Sequence, residues 1–379
     1  MRTAVAHTEL TETSAAAAQL VATCKAKLNG NPAHAALLFA ALDYDHELLL
    51  ERILEEFPGV KLIGCTTDGE VSSELRFRQD SATLIVLSSE TVRFAIGMGR
   101  QVDVDAKAAV EEAVSQASLE GESPELCITI PAGLVVSASE VMKHMSAKLG
   151  SEFPIVGGVA GDDWRFQKTF QFCGSDVISN GVPVMLLFGE LDYSIGVASG
   201  WSTLGSPAKA TLTEGPRVRT INGKPAVQFY KKYLGEHVTA SPEHPLAIVH
   251  EDGSFALRAP IASEEDGSIL FVGDIPNGST VQLTNATRQD ILSASRNSIE
   301  DALASYPGEC PNGALLFSCA ARKQLLGTKT DQEYALLEDK VSGIETCGFY
   351  TYGEIAPHKR DKFSDFHNQT FVTVLLGSR

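Results

Sequence analysis

The sequence is poor in basic charge, and this excludes one class of partner. It contains 31 Lys and Arg residues against 48 Asp and Glu residues, and its net charge is −17. Nucleic-acid binding depends on clustered basic side chains that neutralise phosphates. The short basic stretch 358–362 is interpreted as a solvated loop. We therefore predict no nucleic-acid partner.

The chain also lacks paired cysteines and long apolar runs. Its seven cysteines include no C-x-x-C pair, and Cys127 and Cys319 lie in apolar segments, which argues against a disulfide framework or a structural zinc site. A membrane-spanning helix needs about 20 consecutive apolar residues, and the apolar runs here are far shorter. No apolar stretch typical of a signal peptide follows Met1. These features predict a cytoplasmic protein without a membrane span.

What the sequence does contain is a repeated motif. The segment Gly64–Val71 returns as Gly348–Ile355, and a looser copy lies at Gly158–Asp163. Each copy is preceded by an apolar run and followed by another, as Ala35–Ala40 and Thr83–Leu87 flank the first copy. A repeat that keeps glycine and acidic residues at matched places predicts a backbone turn with a polar site beside it.

The flanking patterns extend the motif to a unit of the order β-α-β-α-turn-β. Units of this kind are predicted over residues 1–90, 91–190 and 279–379, the last beginning with the strand Val281–Leu283. Residues 191–278 are interpreted as an altered unit that starts with the strand Tyr193–Val197 and continues as a β-meander. We predict an α/β fold with mixed sheets in two lobes, 1–190 and 191–379, and a ligand site between them.

The motifs supply the candidate ligand-binding residues. Glycine turns at strand ends bring backbone N–H groups and carboxylates to the place where α/β proteins commonly bind ligands. The alternative is structural: the glycines allow tight packing, and the acids cap neighbouring N–H groups. The candidates are Gly158, Gly161, Asp162, Asp163 and Glu354.

Aromatic and basic neighbours of the motifs join this list. Tyr350 and Tyr352 share one face of a strand and belong either to the core or to a cofactor clamp. Trp164 is a candidate for the pocket mouth, and Arg165 for pairing with an anionic ligand group or for a plain loop salt bridge. Cys319 beside His358 or His367 would be the arrangement for nucleophilic catalysis, but cysteines in strands are usually inert. An enzyme with a carboxylate-lined pocket stays an alternative, and we predict a protein that is not an enzyme.

Several strings together resemble a known family. Gly158–Asp163, Phe317–Cys319 with Arg322, Gly348–Pro357 and Phe366–Thr370 are similar to the FIST family in its N-terminal and C-terminal parts. The resemblance implies a sensory, ligand-binding protein of bacterial signal transduction, with Cys319, Arg322, Tyr350 and Glu354 near the ligand. Free-standing members include the haem-binding nitric oxide sensors called NosP, which regulate partner histidine kinases and, through them, cyclic-di-GMP. Amino-acid-like ligands are the alternative.

Haem would require an axial ligand, most often a neutral histidine. His244 and His250 rank first because they lie in the altered unit, followed by His144 and then His237. Arg165 and Tyr352 are candidates for further haem contacts. His367 belongs to a string shared across the family and is expected to make a structural hydrogen bond. The sequence leaves the oligomeric state open, a homodimer included.

Overall fold

The computed structural model describes residues 1–237, 240–357 and 363–378. It confirms the α/β fold class, with three mixed sheets of six strands each and a further antiparallel sheet. No helix in these described ranges is long and apolar enough to cross a membrane.

The first unit contains the predicted elements together with the strand Lys61–Thr66 and a short hairpin, which the order β-α-β-α-turn-β does not include. Its elements are β1 (Arg2–Thr8), α1 (Thr13–Leu28), β2 (Ala35–Ala40), α2 (His46–Glu56), β3 (Lys61–Thr66), the hairpin β4 (Glu70–Ser72) and β5 (Arg76–Arg78), and β6 (Ala82–Ser88). The strands β2 and β3 are parallel, and every residue of the two except Lys61 is buried, as expected for strands covered on both faces.

The second unit repeats this order. Its elements are β7 (Val92–Gly99), α3 (Ala106–Ala117), β8 (Pro124–Thr129), α4 (Ala138–Leu149), β9 (Ile155–Gly158), the hairpin β10 (Gln171–Cys173) and β11 (Asp176–Ile178), and β12 (Val182–Gly189).

The third unit is interrupted after its first strand, β13 (Leu191–Ala198), by an insertion over residues 199–287. The insertion contains β14 (Ser202–Glu214), β15 (Arg217–Ile221), β16 (Lys224–Pro225), α5 (Ala226–Leu234), β17 (Leu246–Val249), β18 (Phe255–Arg258), β19 (Pro260–Ser263), β20 (Ile269–Phe271) and β21 (Thr280–Asn285). The unit then resumes with α6 (Arg288–Ser305), β22 (Gly313–Cys319), α7 (Ala320–Leu326), the 3₁₀ turn Gly327–Lys329, α8 (Thr330–Val341), β23 (Glu345–Thr351), the hairpin β24 (Glu354–Pro357) and β25 (Ser364–His367), and β26 (Phe371–Ser378).

This order corrects the predicted start of the third unit. β13 pairs along its length with β26, at the edge of the third sheet, so Tyr193–Val197 is the first strand of the third unit and not of an altered one. β21, which contains Val281–Leu283, pairs with β14 and β17 inside the insertion. The predicted boundary at residue 279 is therefore wrong, because a local apolar pattern identifies a strand but not its partner.

The three units are joined by a cyclic exchange of hairpins. β4–β5 of the first unit extends the third sheet through β23, and β10–β11 of the second unit extends the first sheet through β3. β24–β25 of the third unit extends the second sheet through β9. Main-chain hydrogen bonds thus link all three units in a ring, and two of these links cross the predicted lobe boundary at residue 190.

The main core lies where the three sheets face one another. Buried side chains from all three units meet there, including Phe39, Leu126 and Phe317. The Phe39 and Phe349 ring centroids are 4.5 Å apart. The helices cover the outer faces of the sheets and form separate apolar clusters with them. The strand ends that carry the repeated motif therefore converge around a rigid centre.

Candidate functional site

The three glycine turns meet at one point, which we call the junction. They follow β3, β9 and β23, the strands that are equivalent in the three units. Backbone hydrogen bonds join the turns pairwise, and they include Gly161 N to Thr66 O (2.9 Å), Asp68 N to Tyr350 O (3.0 Å) and Val159 N to Gly353 O (2.8 Å). The repeated motif thus builds one composite site and not three separate ones.

Strand pairing corrects the alignment of the second copy. Gly64 lies opposite Leu38, Gly348 opposite Leu316 and Gly157 opposite Thr129 in equivalent parallel pairs. A methyl group added at any of these three glycines would overlap the carbonyl oxygen of the opposite residue. Gly157, and not Gly158, is therefore the counterpart of Gly64.

The predicted pocket glycines have packing roles. A methyl group at Gly158 would lie 2.8 Å from Thr351 Oγ1, and one at Gly161 would lie 3.0 Å from Asp68 N. Both glycines allow one turn of the junction to approach another. Neither lines the two cavities described below.

The repeated glutamates hold the strand that follows each hairpin. Glu354 Oε2 accepts hydrogen bonds from Thr370 N (2.9 Å) and Thr370 Oγ1 (2.7 Å), and Glu70 accepts from the hydroxyls of Thr67 and Ser81. Burial raises the pKa of each glutamate to about 8. Glu354 thus has the structural role that was the alternative to ligand binding. It lines neither of the two cavities described below.

Asp162 organises the loop that leaves the junction. Its carboxylate accepts hydrogen bonds from the backbone N–H groups of Phe166 (3.0 Å), Gln167 (2.7 Å) and Lys168 (3.0 Å), and from the hydroxyl of Tyr352 (2.6 Å). This loop contains three residues with left-handed backbone, Asp163, Trp164 and Phe166, at φ of 56°, 58° and 48°. Bulky residues rarely adopt this conformation, and such strain is concentrated at functional sites.

Three aromatic rings cover the junction. Phe166 stacks on Tyr352 with ring centroids 5.0 Å apart, and Trp164 contacts both rings at 5.6 Å and 6.1 Å. Trp164 N also donates to Tyr352 Oη (2.6 Å). Burial and the bond to Asp162 raise the pKa of Tyr352, so its hydroxyl stays protonated and acts as a donor.

Two adjoining cavities lie between the junction and the insertion. The first, of about 180 Å³, is lined by Trp164, Phe166, Pro242, Ala259, Pro260, Ile261, Val272, Cys319, Ala320, Ala321, Gln324, Thr351, Tyr352 and Asn368. The second, of about 310 Å³, is lined by Gly133, Leu134, Val135, Val136, Ser137, Ala138, Val159, Phe166, Pro216, Ile261, Leu270, Phe271, Val272, Gly273, Tyr352 and Phe366. Neither lining includes a charged side chain among the residues that the structure describes. We call these the first and second junction cavities.

Of the candidate residues in the C-terminal strings, Cys319 and Tyr352 line the first cavity, whereas Arg322, Tyr350 and Glu354 line neither junction cavity. Arg322 and Tyr350 are buried on the other side of β22 and β23, where both bind Glu333. Arg322 Nη2 lies 2.9 Å from Glu333 Oε1. Arg322 and Tyr350 therefore belong to a buried polar network that lies away from both junction cavities.

The chemistry of Cys319 does not support a nucleophile. Burial, with a smaller effect of the Glu354 charge, raises the pKa of its thiol well above the ordinary value, so the reactive thiolate is disfavoured. The Nε2 atom of His367 contacts the carbonyl oxygen of Ala356 at 3.0 Å, as expected for a structural histidine. His358, the other predicted base, lies outside the described residues.

A buried ion pair that was not predicted lies behind the aromatic cover. Lys323 Nζ is 3.0 Å from Asp68 Oδ2, and it donates to Asp68 O (2.6 Å) and to Gln79 Oε1 (2.8 Å). Gln79 Nε2 in turn donates to Asp163 Oδ1 (2.9 Å). Burial raises the pKa of Asp68 to about 7, against the opposing effect of Lys323. This chain of contacts joins all three units at the junction. Asp163 takes part in it as a hydrogen-bond acceptor.

The remaining predicted contact residues are scattered. Arg165 forms an exposed pair with Asp43, with Nη2 and Oδ2 3.1 Å apart, so the plain salt bridge is the arrangement observed. His144 lies 4.0 Å from Glu140 on α4, and His244 Nδ1 is 3.4 Å from Thr284 O. His237 and His250 are exposed.

These positions do not fit haem. In the described part of the chain, no histidine lines either junction cavity. His250 borders a separate cavity of about 560 Å³, but Asp252, Asp274 and Asp365 line it as well, whereas a haem pocket is apolar around its axial ligand. No group of three or more His, Cys, Asp or Glu side chains in the described ranges is placed to hold a metal ion.

The cavity walls contributed by the insertion were not predicted. Pro242 precedes β17, and Ala259, Ile261 and Val272 come from the segments around β18, β19 and β20. They are ordinary apolar residues in a meander, and only the fold shows that the meander covers the junction. Phe166 carried no sequence signal either, because its role depends on the left-handed loop.

The fold and site define an α/β ligand-binding protein whose cavities are shared between repeated units and an insertion. The chain belongs to the FIST family: the FIST N domain matches residues 34–224 and the FIST C domain matches residues 226–357. FIST domains are sensory domains that bind small ligands in signal transduction.

Similar proteins occur in bacteria and archaea. An uncharacterized protein of Mycobacterium tuberculosis strain H37Rv is 24% identical over 376 residues, which cover 94% of this chain and 95% of that protein. An uncharacterized protein of Mycobacterium bovis is 23% identical and covers 82% of this chain and 81% of its own length. One of Methanocaldococcus jannaschii is 24% identical over 62% of this chain and 51% of its own length.

Proposed function

We propose that this chain is a cytoplasmic sensor of a small uncharged ligand, which binds in the first junction cavity. The observation that carries the proposal is the lining of that cavity, which is mostly apolar and includes the polar side chains of Thr351, Gln324 and Asn368. Ligand sites are typically apolar with a few placed polar groups that fix orientation.

The lining favours an uncharged ligand over an amino acid. Charged residues make up 21% of the chain, yet none of the described residues that line either junction cavity is charged. A zwitterionic ligand would lose its hydration without gaining a charged partner, and burying an unpaired charge is costly. Amino-acid sensing is therefore the weaker alternative.

The test uses phenylnaphthylamine, an uncharged apolar dye whose fluorescence rises when it enters an apolar site. We expect the dye to bind and to quench Trp164, which lines the first cavity. Ala320→Leu fills this cavity and should weaken binding by about tenfold or more, equivalent to 1.4 kcal/mol. The control is Ala18→Leu, the same substitution at an exposed position of α1. Equal binding by both variants, or displacement of the dye by leucine or glutamate, would contradict the proposal.

A bound ligand acts in signalling through a second protein, and we propose a histidine kinase as that partner. Coupling of about 1–3 kcal/mol between the two binding events changes partner affinity roughly 5- to 150-fold. Kinase autophosphorylation should therefore differ between the ligand-free protein and the dye-bound protein, and Ala320→Leu should remove that difference. Identical autophosphorylation rates in all conditions, for a kinase encoded beside this chain, would contradict the proposed histidine kinase partner.

Haem-based sensing of nitric oxide, linked to cyclic-di-GMP through a kinase, rests on the resemblance to NosP alone. The positions of His144, His237, His244 and His250 do not support it. An absorption spectrum of protein expressed with haem supplied tests it directly. A stoichiometric Soret band that survives replacement of all four histidines by alanine would show that haem binds through a residue outside this set. Absence of the band from the native protein would contradict haem-based nitric oxide sensing.

A further inference from the structure

The two junction cavities are separated by one thin partition. Phe166, Ile261, Val272 and Tyr352 line both of them. Tyr352 is fixed by its hydrogen bond to Asp162. Phe166 is held by ring contacts with Trp164 and Tyr352 and is 42% exposed.

Phe166 can open this partition by rotation of its side chain. Its backbone N–H is bonded to Asp162 Oδ1 at 3.0 Å, which holds the main chain of the loop in place. The ring makes apolar contacts and faces solvent on one side. Exposed side chains change rotamer on the picosecond to nanosecond scale, so a ligand can displace the ring without moving the loop.

The linings of the two cavities together suit a long apolar group with a polar end. The second cavity is walled by Leu134, Val136, Leu270, Phe271 and Phe366. The polar side chains of Thr351, Gln324 and Asn368 belong to the first cavity, whereas the second contains the hydroxyl of Ser137 beside its apolar wall. Val135 and Ile261, at the rim of the second cavity, are 45% and 42% exposed, and exposed apolar side chains that cluster mark binding sites.

We propose that the two cavities are halves of a single site for an alkyl chain with an uncharged polar head group. The head group binds beside Asn368 and Thr351, and the chain passes Phe166 into the second cavity. This inference rests on the proposed function and specifies its ligand class. It commits to an uncharged head because a carboxylate would find no charged partner among the described lining residues.

The experiment measures displacement of phenylnaphthylamine by hexanol, octanol, decanol and dodecanol. Each buried methylene group contributes about 0.8 kcal/mol, so affinity should rise roughly fourfold per added carbon as the chain enters the second cavity. Dodecanoate should bind more weakly than dodecanol. Monododecanoylglycerol, tested beside dodecanol, distinguishes a glycerolipid source of the chain from a free alkyl compound.

Two variants test whether the alkyl chain of the ligand occupies the second cavity. Ala138→Leu fills the second cavity from its wall and should leave hexanol affinity unchanged while it reduces dodecanol affinity by about tenfold or more, equivalent to 1.4 kcal/mol. Val136→Phe, at a half-buried rim position, has the same purpose if Ala138→Leu does not fold. Phe166→Ala removes the partition and should retain or increase dodecanol affinity.

The outcomes separate this inference from the proposed function. If hexanol displaces the dye but affinity does not grow with chain length, or if Ala138→Leu and Val136→Phe bind dodecanol as well as the native protein does, the second cavity is not part of the site. The small-ligand sensor would then stand and this inference would fall. If no alkanol displaces the dye from the native protein, this inference falls, whereas the proposed function falls only if the dye does not bind or if Ala320→Leu leaves dye binding unchanged.

Discussion

Glu333 is the residue on which the buried network beneath β22 and β23 depends. Its carboxylate binds Arg322, Ser295 (2.7 Å), Ser318 (3.1 Å) and the hydroxyl of Tyr350. Removing one partner of a buried pair leaves the other charge uncompensated and typically costs about 3–5 kcal/mol. We expect Glu333→Ala to lower the free energy of unfolding in urea by this amount.

The matched control for Glu333→Ala lies on the same helix. Glu338 pairs with Arg76 at 2.8 Å, but both side chains are about half exposed. Exposed pairs contribute less than about 1 kcal/mol, so Glu338→Ala should be nearly neutral. Similar losses for the two variants would mean that the Arg322 network adds little to stability.

Glu354 gives the protein a defined pH dependence. Its pKa is about 8 in the fold against a reference of 4.5, so between these values the folded state keeps a proton that the unfolded state releases. Its contribution to stability is complete below about pH 4.5 and decreases as pH rises, by at most about 1.4 kcal/mol per pH unit, until about pH 8. Glu70 acts in the same direction.

The variant Glu354→Gln isolates this contribution. It should match the native protein most closely at the acid end of that window and become progressively more stable relative to it towards the alkaline end. His7, whose pKa burial lowers to about 3, acts oppositely, because its contribution decreases as pH falls from 6.5; it is common to both proteins and cancels in the difference. Urea midpoints at several pH values measure the effect. A constant difference across the window would show that Glu354 is ionised in the fold.

At the scale of elements, the tight approach of the parallel strands depends on the repeated glycine. A methyl group at Gly348 would overlap the carbonyl oxygen of Leu316 on the neighbouring strand. We expect Gly348→Ala to destabilise the protein by several-fold more than the roughly 1 kcal/mol of an ordinary glycine replacement. Gly59 has open space where a Cβ would lie but a φ of +81°, so Gly59→Ala is the thermal-unfolding control for backbone strain without a steric overlap. Equal decreases in Tm for Gly348→Ala and Gly59→Ala would contradict the proposal that Gly348 is needed for close strand packing.

Sequence patterns predicted the positions of helices and strands better than they predicted which strands pair. The apolar run Ala35–Ala40 forms β2 at the same bounds, and Thr83–Leu87 lies within β6, because turn signals and apolar periodicity are local. β13 and β21 were assigned to the wrong units, since strand pairing is decided by distant residues. The site follows the same rule: Trp164, Tyr352 and Cys319 were predicted and do line the first cavity, whereas Phe166 and the insertion walls depend on tertiary structure.

At the scale of the whole molecule, the ring of exchanged hairpins makes the three units interdependent. A fragment of residues 1–190 would lack β24–β25 for its second sheet and would leave β4–β5 without β23. It would also lose the side chains that the third unit contributes to the main core, such as Leu315, Phe317 and Phe349. We expect this fragment to lack a cooperative urea transition and to bind dyes for exposed apolar surface.

Excision of the insertion is the contrasting experiment. Gly200 packs against the backbone of Asp290, so residues 201–287 can be replaced by a short Gly-Ser linker without stretching the chain. The excised protein keeps all three sheets and the hairpin ring, but it exposes Ile291, Leu292 and Leu326, which pack against the insertion. We expect it to unfold cooperatively at a lower urea concentration and to bind no phenylnaphthylamine, because Pro242, Ile261 and Val272 are gone from the cavity wall. A fragment 1–190 that unfolds cooperatively, beside an excised protein that does not fold, would instead favour two independent lobes divided at residue 190.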